Sequence, residues 1–334
     1  MGMIWGALTR LILALCLMLP MGLRAECVGR NLIATLPTDQ RTALQAAADA
    51  VPFARGNLWQ ATKGRQVITL IGTYHLDDPR HATTLARLAA PMMTASALLV
   101  EAGPAEQAAL WADIARNPDR VANANGPALR DALSEADWVR LSAALRSRGI
   151  APVFAARMQP WYLSSLLAIP PCQYADTTKE MGLDRRLMAL AATRALPIIA
   201  LEPYDTVFAI FDSFTASDQI RMLVQTLDAA AVDDDMAITL SDSYFSGQNR
   251  LFWEYTRLQL MILSGATPAE ADQQIAMLEE VMITRRNRAW MPVITAAAAK
   301  GPVVVAFGAL HLAGQEGVLN LLAADGWRVL ALTP

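Results

Sequence analysis

Short, unbroken apolar runs recur along the chain, and each is bounded by turn residues. These runs predict six β-strands, at residues 67–71, 97–101, 152–155, 198–202, 303–307 and 327–332. Because the runs are continuous rather than alternating, each strand is expected to be buried on both faces, as in parallel sheets covered by helices. The pattern therefore predicts an α/β fold with a mainly parallel central sheet flanked by helices.

The order strand, turn, helix, strand occurs twice. Residues 80–92 predict a helix between the first two strands, and residues 314–324 predict one between the last two. In each copy the motif Gly-x-x-His follows the first strand, once as Gly72-Thr-Tyr-His75 and once as Gly308-Ala-Leu-His311. We interpret the two copies as an internal repeat.

The interval at about 204–300 lacks a strand pattern and predicts a helical insertion within one domain that spans residues 26–334. Helix starts are predicted at Ser217 and at Thr267, where Glu270 can complete a capping box. Residues 105–150 are also predicted to be helical, with Ser134 as a cap. Residues 26–60 are expected to form a packed arm that leads into the first strand. The aromatic residues of the insertion are interpreted as core: Phe208, Phe211, Phe214, Phe252, Trp253 and Tyr255.

The N-terminus has the pattern of a secretory signal peptide. Arg10 precedes an apolar run at residues 11–19, and the small residue Ala25 suits cleavage there. The alternative is an uncleaved anchor, although the run is short for a bilayer span. Residues 1–25 are therefore predicted to be a signal peptide. The chain is expected to be exported to the periplasm or another extracytoplasmic space, with no stable membrane span after cleavage.

Export changes how the cysteines are interpreted. Cys16 would leave with the signal peptide, so Cys27 and Cys172 would remain as an even pair in an oxidising compartment. A disulfide between them is predicted. The net charge of −3 comes without a basic stripe, which does not favour nucleic acid or an anionic membrane surface as a partner.

Four residues that can bind metal or move protons lie at predicted strand ends: His75, Glu101, Glu202 and His311. In a parallel sheet such ends meet at one edge, where ligands collect. Two imidazoles and a carboxylate can hold a metal ion that activates water for hydrolysis. The structural alternative is that the histidines are hydrogen-bonded core groups and the acids cap helices. Gly72 and Gly308 would shape the backbone around the site.

Other polar residues near these motifs carry two interpretations each. Asp77 and Asp78 are either accessory ligands or a helix N-cap, and His81 is expected to be solvated. Arg286 and Trp290 are four residues apart and share a helix face. The Arg286 guanidinium could reach a substrate carboxylate, or it could pair with a nearby acid.

Together these motifs resemble the TraB/GumN family, which includes PrgY-type pheromone-shutdown proteins and the Tiki proteases. Further matching segments occur in the family order: Gln159-Pro-Trp-Tyr-Leu, Gly182-Leu-Asp184, Leu201-Glu202, Phe211-Asp212-Ser213, Arg286-Asn287 with Trp290, and residues 308–317. Pro203 departs from the threonine that commonly follows Leu-Glu in GumN-like members.

The resemblance implies an α/β fold related to the erythromycin esterase and ChaN-like group, with metal-dependent peptidase activity. By this resemblance His75, His311 and Glu101 form the metal or catalytic set, with Mn, Co or Zn as the divalent ion. Glu202 and Arg286 are implied as supporting catalytic residues.

Two hypotheses of function follow. The first is an exported metal-dependent hydrolase that cleaves a peptide or protein. The rival is a periplasmic protein that binds a peptide or small ligand in the same cleft without turnover. The sequence does not determine the substrate, the metal or the oligomeric state.

Overall fold

The computed structural model describes residues 27–123, 127–174 and 182–332. The predicted signal peptide, residues 1–25, lies outside the described residues. Among the helices that are described, none combines the length and the apolar character needed to cross a membrane.

A six-stranded mixed sheet forms the centre of the molecule. Its strands are β1 (Leu58–Lys63), β2 (Gln66–Thr73), β3 (Ala97–Val100), β4 (Ile198–Ala200), β5 (Val303–Gly308) and β6 (Arg328–Ala331). They lie in the order β4-β3-β5-β2-β1-β6. The strands from β4 to β2 pair in parallel, whereas β1 is antiparallel to both β2 and β6. The α/β class is thus confirmed.

Helices fill the intervals between the strands. Before the sheet lie α1 (Leu32–Thr35) and α2 (Thr38–Asp49), and α3 (His81–Thr94) joins β2 to β3. Between β3 and β4 lie α4 (Pro104–Arg116), α5 (Leu129–Ala132), α6 (Glu135–Arg146), α7 (Pro152–Ala155), α8 (Pro160–Leu167), α9 (Pro171–Tyr174) and α10 (Leu183–Thr193). Between β4 and β5 lie α11 (Thr206–Asp212), α12 (Ala216–Ala230), α13 (Asp233–Phe245), α14 (Asn249–Ser264), α15 (Pro268–Glu279) and α16 (Arg285–Ala298). Helix α17 (Val318–Ala324) joins β5 to β6.

Helices cover both faces of the sheet, as continuous apolar strands require. On one face, Trp290 and Ile294 of α16 and Leu319 of α17 pack against buried strand residues such as Leu70 and Val305. On the other face, Leu88 and Met92 of α3 and Leu187 of α10 pack against Ile71 and Val304. Burial on both sides holds for β2, β3 and β5. It does not hold for the strands at the two ends of the sheet, since β4 is half-buried and β6 is mostly exposed.

The strand predicted at residues 152–155 was wrong, because this segment forms helix α7. Pro152 occupies the first turn, where its missing N–H has no hydrogen bond to lose. Val153 and Phe154 are largely exposed, and only Ala155 is buried. A run of four apolar residues therefore matched a strand pattern without being buried as one.

Strand β1 was missed, because the arm before residue 67 was taken as a lead into the first strand. Residues Leu58–Lys63 pair with β2 through a tight turn in which Gly64 has a φ of +61°. Trp59 and Ala61 are buried, while Gln60 and Thr62 between and after them are half-buried. Such partial alternation differs from the continuous runs that identified the other strands.

The two helical segments on either side of β4 share one core. Leu141 and Leu145 of α6 and Leu163 of α8 pack with Leu223 and Leu227 of α12. The region predicted as an insertion is helical between β4 and β5, and it is packed against earlier helices rather than standing apart.

Local helix signals in these segments largely match the structure. Ser134 caps α6 by accepting the Asp137 N–H, and Thr267 forms a capping box with Glu270. Helix α12 starts earlier than the predicted Ser217, since Thr215 is its cap and Asp218 completes the box. The predicted Cys27–Cys172 disulfide is present and ties the N-terminal arm to α9.

Candidate functional site

The carboxyl ends of the parallel strands meet at one edge of the sheet. Thr73 of β2 is in register with Gly308 of β5, and Val100 of β3 pairs with both Ala306 and Ala200. The candidate residues follow directly: His75, Glu101, Glu202 and His311. Strand topology alone therefore brings to one edge residues that are far apart in the sequence.

Glu101 joins β3 to β5 and to helix α16. Its Oε1 accepts the Gly308 N–H at 2.6 Å, and its Oε2 accepts from Arg286 Nη2 at 2.5 Å. Burial opposes the charge on this carboxylate. The neighbouring groups that can carry positive charge, His311, Arg286 and His75, favour the charged form, and so does the hydrogen bond from the Gly308 N–H. Together they lower the pKa of Glu101 to about 2. Glu101 is therefore a carboxylate at neutral pH.

Arg286 lies at the centre of the site, with only 12% of its side chain exposed. Its Nε and Nη2 donate to the two oxygens of Glu202 at 2.8 and 2.7 Å, which makes a bidentate pair. Nη2 also donates to Glu101, while Nη1 donates to the Met282 carbonyl at 3.1 Å and to His311 Nε2 at 3.2 Å. All five N–H groups of the guanidinium are engaged by the protein. Of the two predicted roles for Arg286, the structure shows the pairing with acids.

Glu202 is held by the same helix. Trp290 Nε1, one turn after Arg286, donates to Glu202 Oε2 at 3.0 Å. The guanidinium also lies over the Trp290 ring at 4.9 Å from its centroid. Arg286 and Trp290 therefore share one face of the helix, as predicted, and both donate hydrogen bonds to Glu202.

His311 is buried, and its tautomer follows from its partners. Asn287 Nδ2 donates to two carbonyls, at His311 and Glu316, so its Oδ1 is an acceptor. That oxygen lies 2.6 Å from His311 Nδ1, which must carry the proton. Nε2 then accepts from Arg286. Burial and the charge of Arg286 lower the pKa of His311 to about 3, although the negative charge of Glu101 opposes this shift. The ring is therefore neutral.

His75 is the open member of the group. Its Nδ1 lies 3.1 Å from Asp184 Oδ1, and 60% of its side chain is exposed. Desolvation acts against a charged ring, but the hydrogen bond to Asp184 and the negative charges of Asp184 and Glu101 raise the pKa of His75 to about 9. Asp184 can reach the ring because Gly182 lies directly against the His75 backbone, and Leu183 N–H donates to the Tyr74 carbonyl at 3.0 Å.

Two glycines make the close approaches in this site. A Cβ on Gly72 would lie 2.6 Å from Leu312 Cδ1 and 2.8 Å from Ala309 Cα, so the turn that carries His311 packs against bare backbone. A Cβ on Gly308 would lie 3.3 Å from both Glu101 Oε1 and His75 Nε2. These two atoms therefore face the same small space beside Gly308.

Three polar residues after His75, namely Asp77, Asp78 and His81, contact groups outside this cluster. Asp77 pairs with Arg186 at 2.5 Å, and Asp78 accepts the Arg80 N–H and pairs with its guanidinium. The N-cap interpretation was wrong, because the N-cap of α3 is Arg80, without a side-chain hydrogen bond, and Asp78 instead accepts the Arg80 N–H in the turn before the helix. The expectation that His81 is solvated was wrong, because its ring is fully buried. It packs among Tyr74, Tyr244 and Phe245 and bonds the Leu76 carbonyl through Nε2.

The comparison with protein families gives the same assignment as the motifs. A model of the TraB/PrgY/gumN family matches residues 57–331, which include every residue of the site. The chain belongs to this family. The match begins just before β1 and ends at the last residue of β6, so it covers the whole sheet.

Relatives within the TraB/PrgY/gumN family add no known activity. The chain is 26% identical to the uncharacterized protein YbaP of Escherichia coli K12, over 78% of this chain and 89% of the relative. It is also 26% identical to the uncharacterized protein YbaP of Shigella flexneri, over 76% of this chain and 86% of that relative. No solved structure matches the chain.

The metal ligands expected in this TraB/PrgY/gumN member are His75, His311 and Glu101, and their arrangement in the structure does not fit a metal ion. Within the described residues, the only group of three ligand side chains whose ligand atoms lie within 4.8 Å of one another is Cys27, Cys172 and Asp234, and its cysteines are joined in the disulfide. His75, His311 and Glu101 do not form such a group. The Nε2 lone pair of His311 is directed at Arg286, which brings a positive charge to that position.

Two residues that complete the site in this TraB/PrgY/gumN chain were not assigned a role from the sequence. Asp184 and Asn287 hold the ring nitrogens of His75 and His311 that point away from the site. Both occur in segments that resemble the family, Gly182-Leu-Asp184 and Arg286-Asn287. The resemblance identifies these segments but not the contacts they make. Which histidine each of Asp184 and Asn287 contacts depends on how α10 and α16 pack on the sheet.

Proposed function

We propose that this chain is a hydrolase that cleaves an amide bond in a peptide or protein. The observation that carries the proposal is that His75 Nε2 and Glu101 Oε1, which accepts the Gly308 N–H, face the same space beside Gly308. The other polar groups of the site are engaged by protein partners. The substrate class and a fold relationship to erythromycin esterase and ChaN-like proteins belong to the same proposal and rest on the family resemblance. Export to the periplasm also belongs to it and rests on the signal-peptide pattern of the N-terminus.

His75 acts as the general base in this proposal. Asp184 accepts the Nδ1–H, which leaves the Nε2 lone pair of the neutral ring directed at a water molecule. As that water adds to the substrate carbonyl, Nε2 takes its proton. The resulting imidazolium, stabilised by Asp184, then gives the proton to the leaving nitrogen, so the bond between carbon and nitrogen breaks and His75 is restored.

Glu101 orients the water. Its Oε1 faces the same space as His75 Nε2, and its low pKa keeps it an acceptor throughout the reaction. Arg286 donates to Oε2 of this carboxylate, Glu202 pairs with Arg286, and Trp290 donates to Glu202. None of these three residues needs to move a proton. Because the arranged donors do not fit a metal ion, no step of the proposal passes through one.

The test is cleavage of a mixed peptide library by the purified chain, read by mass spectrometry. We expect cleavage that survives a chelator and falls by about 10²–10⁴-fold in His75→Gln and in Glu101→Gln. Glu135→Gln, which alters a carboxylate paired with Arg130 on the surface, is the matched control and should leave cleavage unchanged. Peptide binding without any cleavage would reject the hydrolase in favour of the binding protein.

A further inference from the structure

The guanidinium of Arg286 is surrounded by a set of groups that resembles the surroundings of a metal ion. The guanidinium contacts two carboxylates, those of Glu101 and Glu202. It also contacts one neutral imidazole nitrogen, Nε2 of His311. Two carboxylates with one imidazole are a common donor set for divalent first-row metal ions. Here a side chain of the same chain supplies the cation instead.

We infer that Arg286 is the resident cation of this site, that it excludes a divalent metal ion while it is in place, and that its removal opens the Glu101–Glu202–His311 set to one. The inference concerns metal binding alone. It does not depend on the proposed hydrolysis, so either can fail while the other stands.

The spacing of the donors supports a guanidinium rather than an ion. The carboxylate oxygens lie 2.5 to 2.8 Å from guanidinium nitrogens, and His311 Nε2 lies 3.2 Å from a different nitrogen. These contacts are spread around the planar group, whereas ligands of zinc converge on one point at about 2.0–2.2 Å. This spread is why the three groups do not approach each other closely enough to hold an ion.

The position of Arg286 is fixed by more than its charge partners. Nη1 donates to the Met282 carbonyl, and the guanidinium lies over Trp290, which is itself fully buried. The five-residue π-helical turn Glu280–Thr284 immediately precedes Arg285, at the start of α16. Such turns are rare and often occur at functional sites. A metal ion would have to displace a side chain that is held on all sides, and it would face its positive charge.

Removal of Arg286 leaves the acceptors without their cation. Glu101 would keep the Gly308 N–H and Glu202 would keep Trp290 Nε1, so each carboxylate would remain oriented toward the vacated position. His311 would keep its proton on Nδ1 because Asn287 holds it there, which leaves Nε2 free as a ligand. Glutamate side chains can close the remaining distance by rotation about their own bonds.

The experiment compares metal binding by the full chain and its variants, using ZnCl₂ and MnCl₂ in calorimetric titration and elemental analysis after dialysis. In Arg286→Met, we expect the affinity for one ion to rise by at least an order of magnitude over the unchanged chain. The gain should disappear when Glu202→Gln is added. Arg288→Met, on the same helix, removes an exposed arginine that pairs with Glu316 and is the matched control. It should not gain metal.

Two results would overturn the inference. One is a stoichiometric ion in the unchanged chain that is lost in Glu101→Gln, because the metal would then coexist with Arg286. The other is a folded Arg286→Met variant, judged by its circular dichroism, that binds no more metal than Arg288→Met. Should Arg286→Met fail to fold, Arg286→Gln replaces it: with no cation at this position, it should bind metal better than the unchanged chain, and equal affinity would reject the inference.

Discussion

The two histidines of the repeated motif have opposite chemical states, and each state is set by the surroundings of the ring. Asp184 favours a positive charge on His75, whereas burial and the charge of Arg286 keep His311 neutral and Asn287 fixes its tautomer. The sequence motif is the same in both copies, Gly-x-x-His. The difference therefore comes from residues outside the motif, on helices α10 and α16, and the repeat does not produce two equivalent sites.

Replacing Asp184 by Asn should lower the pKa of His75 from about 9 toward its ordinary value of 6.5, because the hydrogen-bonded negative charge is lost. The measurement is an NMR titration of the ring. Asp49→Asn, which removes a carboxylate paired with Arg55 on the surface, is the control and should leave the His75 titration in place. An unchanged pKa in Asp184→Asn would show that Asp184 does not set the charge of His75.

The raised pKa of His75 also has a consequence for stability. A group whose pKa is higher in the folded state stabilises that state below its unfolded pKa, and this contribution is lost as the pH rises through the folded pKa. The loss should therefore occur between about pH 6.5 and 9. Denaturant unfolding across this range should show a smaller decline in Asp184→Asn than in the unchanged chain. Since His75 is mostly exposed, the effect is expected to be small.

Catalysis should depend on pH in the opposite direction. If neutral His75 is the base, kcat/KM rises with pH as the ring loses its proton and levels off above about 9. Glu101 remains charged throughout this range. Steady-state rates of peptide cleavage from pH 6 to 10 provide the measurement. A rate that falls as pH rises toward 9 would assign His75 the role of a proton donor instead.

At the scale of single elements, the sequence predicted strands well where they are buried on both faces. The runs around Leu70, Leu99 and Val305 are continuous because helices cover both sides of them. Strand β1 was missed because its burial partly alternates, and α7 was taken for a strand because Val153 and Phe154 are apolar yet exposed. Strand β6 was predicted although it is mostly exposed, because its residues 329–331 are apolar. Sequence patterns therefore record apolar character and not burial itself.

The two motif glycines should respond differently to the same substitution. Gly72→Ala places a Cβ against the turn that carries His311, where backbone must shift, and we expect a loss of about 1–3 kcal/mol of unfolding free energy. Gly308→Ala instead directs its methyl into the space between Glu101 Oε1 and His75 Nε2.

The comparison is made by denaturant unfolding and by peptide cleavage on both variants. Gly308→Ala should lose most activity while its stability changes by less than that of Gly72→Ala. The assignment of roles would be reversed if Gly308→Ala proved the less stable variant and retained full cleavage.

At the scale of the whole molecule, the location of the site followed from topology, and its internal contacts did not. Parallel strands align their carboxyl ends, so His75, Glu101, Glu202 and His311 could be expected at one edge from strand order alone. That Arg286 would link three of them depends on where α16 packs after a long helical segment. The pattern of residues in that segment indicated that Arg286 could pair with an acid, but it did not specify which acids.

The Cys27–Cys172 disulfide is the covalent link that holds the N-terminal arm to the body of the molecule. It joins residues separated by 145 positions, so it closes a long loop in the unfolded chain. Such a crosslink stabilises the folded state mainly by restricting the unfolded one. We expect the double variant Cys27→Ala/Cys172→Ala to lose about 2–4 kcal/mol of stability and to unfold several degrees lower than the oxidised chain.

Thermal unfolding with and without a thiol reductant tests this expectation. Reductant should lower the Tm of the unchanged chain to that of the double variant, and it should not affect the double variant itself. The arm also makes non-covalent contacts with helix α13, through Arg30 to Asp235 and Leu32 to Thr239. If those contacts alone fix the arm, the double variant will unfold at the same temperature as the oxidised chain, and the disulfide will then have no part in stabilising the fold.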